Sequence, residues 1–140
     1  MLHQCFVLAF RGMSLMFFAF FDSIDKYNGK LTKFLNDYMI QTRNLEECEL
    51  IKKKELFDTT VDIAKKIKFS KSSKVLVDAV LYGIATNIEN LKNLELHQIE
   101  EKYNRLMQEL EFFSTSLSEG IWQKDSALKR LLKSKEVFAC

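Results

Sequence analysis

The sequence predicts an all-α fold: a single, bundle-like helical domain of about five to six helices. Three observations predict it. The 140-residue chain contains no proline, the residue that removes a backbone donor and breaks helix interiors. Apolar residues recur at i, i+3, i+4 and i+7 in one segment after another, and no segment sustains the period-2 alternation of a half-buried strand. There are only four glycines, Gly12, Gly29, Gly83 and Gly120, and three of them fall where helices can begin or end. The length suits one domain with its own core. No linker, repeat or low-complexity stretch marks a second, so residues 1–140 read as one unit.

The first helix is expected over Met13–Tyr27, apolar almost all round as for a central helix, and Asn28-Gly29 stops it. Leu31, Phe34, Leu35, Tyr38 and Met39 form a clean stripe on a second helix, Leu31–Arg43. Asn44 reads as the cap of a third helix, with Glu47 three residues on in the manner of a capping box. That helix reaches Ile67 or Phe69, with Leu56, Phe57, Val61, Ala64 and Ile67 inward. Ser70–Ser73 is a polar break. A fourth helix, Lys74–Ile88, presents Val77, Val80, Leu81, Ile84, Ala85 and Ile88. Gly83 inside it costs about 1 kcal/mol relative to alanine, which points to close packing against a neighbouring helix. Asn87–Asn93 is a turn region. A fifth helix, Glu95–Phe113, repeats the stripe with Leu96, Ile99, Tyr103, Leu106, Met107 and Leu110. Ser114–Gly120 is a small-residue loop, and a basic helix, Lys124–Val137, follows it.

The apolar run Cys5–Phe21 is split by Arg11 and Gly12, whereas a spanning helix needs about 20 apolar residues. A signal peptide needs a basic start and a small-residue cleavage site, and Met1–Gln4 and Phe20-Phe21-Asp22 provide neither. The run therefore reads as a buried core helix rather than a membrane or signal segment. Twelve phenylalanines must be buried or bind something; they and Trp122 read as core. A charged fraction of 29% argues against disorder. The net charge of +2 is too small to mark a nucleic-acid binder from the overall field. Cys5, Cys48 and Cys140 are odd in number and widely spaced, which fits a reducing cytoplasm rather than a disulfide framework.

Catalytic signatures are missing. There is no phosphate-cradling glycine loop, no nucleophile elbow and no zinc-protease motif. Asp58 and Asp62 share a helix face at i, i+4, the spacing that also separates Asp22 from Lys26, but acid–base chemistry needs partners from other elements and none is signalled. His97, Glu100 and Glu101 resemble half of a di-iron motif in the wrong order and without a second copy. No catalytic, cofactor or metal residue is assigned. Three basic clusters remain: Lys52–Lys54; Lys65, Lys66, Lys68, Lys71 and Lys74; and Lys129, Arg130, Lys133 and Lys135. Lysine or arginine on an accessible face is what a phosphate backbone needs, so the second and third clusters are candidate DNA contacts. Met13, Met16, Phe17 and Phe20 are candidates for a partner interface on the Phe-rich first helix.

Taken in order, Arg11-Gly12-Met13, Leu15–Phe21, Tyr27-Asn28-Gly29-Lys30-Leu31, Phe34-Leu35-Asn36-Asp37-Tyr38-Met39 and Ser73–Val80 with Gly83-Ile84-Ala85 form a recognisable succession. It resembles, over residues 11–138, the helical region that follows the ParB-like DGQR domain in GmrS-type proteins of modification-dependent restriction and phage defence. The Phe34–Met39 stretch is the most specific part. The family's Asp-Gly-Gln-Arg motif, which serves nucleotide hydrolysis and linked nuclease action, does not occur here, and no His-Asn-His module follows. Met16 stands where the family helix often carries arginine. The resemblance implies the helical portion of an NTP-dependent endonuclease, as a truncated or frame-shifted product: a chain without catalysis or cofactor of its own that supports a nuclease domain or touches the DNA backbone. The alternative is a free-standing protein-interaction module that docks through its first helix.

Overall fold

Helix formation follows the apolar periodicity almost segment by segment. The computed structural model describes residues 13–69, 74–111 and 122–139, and these contain seven α-helices, one 3-10 turn and no strand. The Ser70–Ser73 break, the Ser114–Gly120 loop and the first half of the Cys5–Phe21 run lie outside the described residues. Among the described residues no helix is long and apolar enough to cross a membrane.

Helix α1 spans Met13–Ser23 and continues as a 3-10 turn over Ile24–Lys26. Met16 through Phe20 are all buried, which is the all-round burial a central helix requires. The chain then turns at Gly29, whose φ of 93° is the left-handed conformation that glycine adopts without a Cβ penalty. Helix α2, Leu31–Gln41, buries Phe34 and Tyr38 and leaves Met39 44% exposed at the edge of its stripe.

Helix α3 runs Glu47–Ala64, and its cap is Glu46, in extended conformation and without a side-chain cap bond. Asn44 does not cap it. Residues 42–44 instead close the turn that ends α2, with the Arg43 amide donating to the Ile40 carbonyl at 3.4 Å. Glu47 and Glu49 in the first turn favour the positive end of the helix dipole in place of a cap. The helix ends at Ala64, and a tighter turn carries the chain to Ile67.

Helix α4, Lys74–Thr86, stops two residues short of the expected Ile88. Asn87 explains the stop: its side-chain Nδ2 donates to the Gly83 carbonyl at 2.9 Å and to the Lys135 carbonyl at 2.9 Å, diverting the backbone from a further helical turn. A one-turn helix α5, Ile88–Leu91, occupies the expected turn region. Helix α6, Leu96–Glu111, buries Ile99, Tyr103 and Leu106, and α7 spans Lys124–Ala139.

The core is organised around α4, which packs against α1, α3 and α7; α2 covers α1, and α6 covers α7. Gly83 makes the α4–α7 approach possible. A Cβ there would lie 2.1 Å from Ser134 Oγ and 2.7 Å from Phe138 Cδ2, closer than any tolerated contact, and the buried Ser134 hydroxyl donates to the Ala79 carbonyl at 2.6 Å. Among the described residues the phenylalanines and Trp122 belong to the core or pack against it, as expected. Phe20 meets Tyr27 and Phe34 with ring centroids 5.0 Å apart and stacks on Trp122 at 5.9 Å.

Candidate functional site

The packing of α1 removes one predicted surface. Met16, Phe17 and Phe20 are 6%, 3% and 3% exposed, because α4 and α2 cover the faces they occupy. They are core residues and not a partner interface. The side chain of Met13 lies outside the described residues.

The basic clusters divide by helix face. In the second cluster Lys65, Lys66 and Lys68 are all exposed, at the end of α3 and in the turn beyond it. None forms an ion pair among the described residues. Lys71 lies outside the described residues; Lys74 begins α4, and its side chain is outside them. The third cluster is dispersed. Lys129 and Lys135 are exposed, while Lys133 sits between Glu136 at 3.3 Å and Glu109 at 4.0 Å. Arg130 is buried, 1% exposed, and is unavailable to DNA. A charge count along the sequence missed this, but the helical period contained it. Arg130 shares a face with Ala127, Ser134 and Val137, all buried, at i−3, i+4 and i+7. In the first cluster Lys53 binds Asp22 and Lys54 pairs with Asp58 at 2.6 Å.

Arg130 belongs to a buried polar centre that sequence reasoning did not assemble. It lines a narrow crevice with Asp78, Tyr82 and Trp122, and Asp78 is itself only 7% exposed. The guanidinium carbon lies 5.2 Å from the Trp122 ring centroid, a cation–π contact, and Phe20 stacks on the same indole with centroids 5.9 Å apart. Burial pushes the Arg130 pKa down, and the charges of Asp78 and Tyr27 act in the opposite direction. The Tyr27 hydroxyl donates to the Trp122 carbonyl, and burial raises the Tyr27 pKa against the pull of Arg130. The arrangement fixes the turn before α7 onto α1 and α4.

A second polar tie joins α1, α2 and α3. Asp22 accepts hydrogen bonds from the Tyr38 hydroxyl and the Lys53 ammonium, while Lys53 also lies 5.8 Å from the Phe18 ring centroid. Asp22 is therefore tied to Tyr38 and Lys53 rather than to Lys26, which the i, i+4 spacing places near it. The other candidates for chemistry stand apart. Asp58 and Asp62 are exposed, and His97 is exposed beside Glu95 at 3.3 Å. Among the described residues no three His, Cys, Asp or Glu side chains gather as a metal site. Cys48 is exposed, and Cys5 and Cys140 lie outside the described residues. Of the predicted site residues, the Lys65–Lys68 group is the one brought together on an accessible surface. Comparison with family models, with curated proteins and with solved structures finds no match to this chain.

Proposed function

We propose that the chain is a non-catalytic helical domain that contacts the phosphate backbone of DNA through Lys65, Lys66 and Lys68. The observation that supports this reading is their common exposure at one helix end with no acidic partner among the described residues. Lysines at a helix C-terminus also favour the dipole by about 0.3–1 kcal/mol, but that interaction leaves each ammonium able to meet a second negative charge. A backbone contact of this kind positions DNA without reading its sequence. The wider setting, in which the domain supports a nuclease domain of a restriction or phage-defence protein, rests on the resemblance carried by Phe34–Met39 and the segments around it. The alternative of docking through the first helix has lost Met16, Phe17 and Phe20 to the core.

Fluorescence anisotropy with a duplex across a salt series tests the proposal. Each phosphate contact contributes roughly 0.9 to the slope of log K against log salt. Replacing all three lysines with glutamine is expected to lower that slope by about 3. A wild-type chain that binds no duplex at low salt, or a triple variant with an unchanged slope, overturns it.

A further inference from the structure

A cavity of about 160 Å³ opens between the 3-10 turn and the exposed side of α2. It is well below the roughly 300 Å³ at which pockets for drug-sized ligands begin, so only a small molecule fits. Its floor is aromatic, formed by the buried Phe34 and Tyr38. Its walls are rich in donors. Ser23 is only 7% exposed, lines the cavity, and its hydroxyl makes no cap bond and has no hydrogen-bond partner among the described residues. The Asn28 carbonyl oxygen accepts from the Lys30 amide at 3.1 Å, which leaves its NH₂ to donate. Gln41 adds a second amide and Lys26 an ammonium.

The charges settle what such a lining prefers. The one carboxylate on the wall, Asp37, is paired with Lys33 at 2.8 Å. Asp22, behind Tyr38, is occupied by the Tyr38 hydroxyl and by Lys53. Lys26 has no ion pair among the described residues. The lining therefore offers one uncompensated positive charge, several neutral donors and an apolar floor. We propose that this cavity is a binding site for a small organic oxyanion, a carboxylate or phosphate monoester whose apolar group rests on Phe34 and Tyr38. The oxyanion receives hydrogen bonds from Ser23, Asn28 and Lys26. Binding neutralises Lys26 without requiring any carboxylate to be displaced.

The test is a titration of the ¹⁵N-labelled full chain, followed by amide chemical shifts, with phenyl phosphate, benzoate, inorganic phosphate and benzyl alcohol as probes. The expected result is saturable shifts confined to residues 23–28 and 33–41 with phenyl phosphate or benzoate. Inorganic phosphate and benzyl alcohol, each lacking half of the recognised chemistry, are expected to bind more weakly. Lys26→Ala, at an exposed position that the fold does not need, weakens binding by about fivefold or more through loss of a charge-assisted contact. Ser23→Ala weakens it as well, while replacement of Lys65, Lys66 and Lys68 leaves it unchanged. Shifts that never saturate, that map to residues 65–68, or that keep their affinity in Lys26→Ala overturn the proposal. Because the lysine triple variant is silent here and decisive for DNA, the two proposals fail separately.

Discussion

Gly83 sits where α4 and α7 pack too tightly for any side chain. Gly83→Ala gains about 1 kcal/mol of helix propensity but places a methyl 2.8 Å from the Ser134 carbonyl oxygen as well as against its hydroxyl. Backbone cannot swing aside like the end of a side chain, and overpacking of this kind costs typically 1–3 kcal/mol. The variant is expected to melt below the wild type in a thermal scan despite its better helix former; an unchanged or higher Tm refutes the close approach. Tyr38 makes a second prediction at this scale. Burial, and then the hydrogen bond and charge of Asp22, raise its pKa above the ordinary 10.0, and burial also raises Tyr27 and Tyr82. A group whose folded pKa is raised contributes stability that is fully present below its unfolded pKa and lost as pH rises beyond it. Denaturant midpoints should therefore decline above about pH 10, and Tyr38→Phe should flatten part of that decline while costing about 1–2 kcal/mol at neutral pH. Gly83 was legible in the sequence as a packing glycine, since nothing else justifies glycine inside a helix. Arg130 was misread because a run of basic residues counts charges and not faces.

Between elements, the decisive feature is two opposite charges, Arg130 on α7 and Asp78 on α4, buried close enough for the carboxylate to act on the guanidinium. Removing one partner of such a pair leaves the other charge buried, which costs about 3–5 kcal/mol, whereas replacing both by apolar groups of similar volume is often neutral. Arg130→Ala is thus expected to destabilise strongly. The double variant Arg130→Met with Asp78→Leu should recover most of that loss in chemical denaturation. A double variant as unstable as the single would show that Arg130 acts chiefly through its contact with Trp122. Helix ends were less legible than helix bodies. Asn44 offers good cap chemistry, yet the turn closing α2 claims its backbone. Asn87 ends α4 through a carbonyl on α7, a partner some fifty residues away that no local window contains.

For the molecule as a whole, near-balanced charge limits what the Lys65–Lys68 group can do. With a net charge of +2 there is little long-range field to draw in a polyanion, so duplex affinity should fall away as salt approaches the physiological range. The fold class was fully legible, because absent proline, sparse glycine and repeated helical stripes all agree. The cavity beside α2 and the Arg130 centre were not: the cavity depends on how the 3-10 turn folds back against α2, and the Arg130 centre joins side chains of α1, α4 and α7 that only packing brings together. The central place of α4 also has a consequence for biosynthesis. Its main partner, α7, begins about forty residues downstream, which at 5–20 residues per second leaves the ribosome roughly 2–8 s later. During that interval the Gly83 face of the nascent helix has no mate. Apolar surface left exposed in this way is prone to aggregation, so the step that protects the α4 face is the emergence of α7.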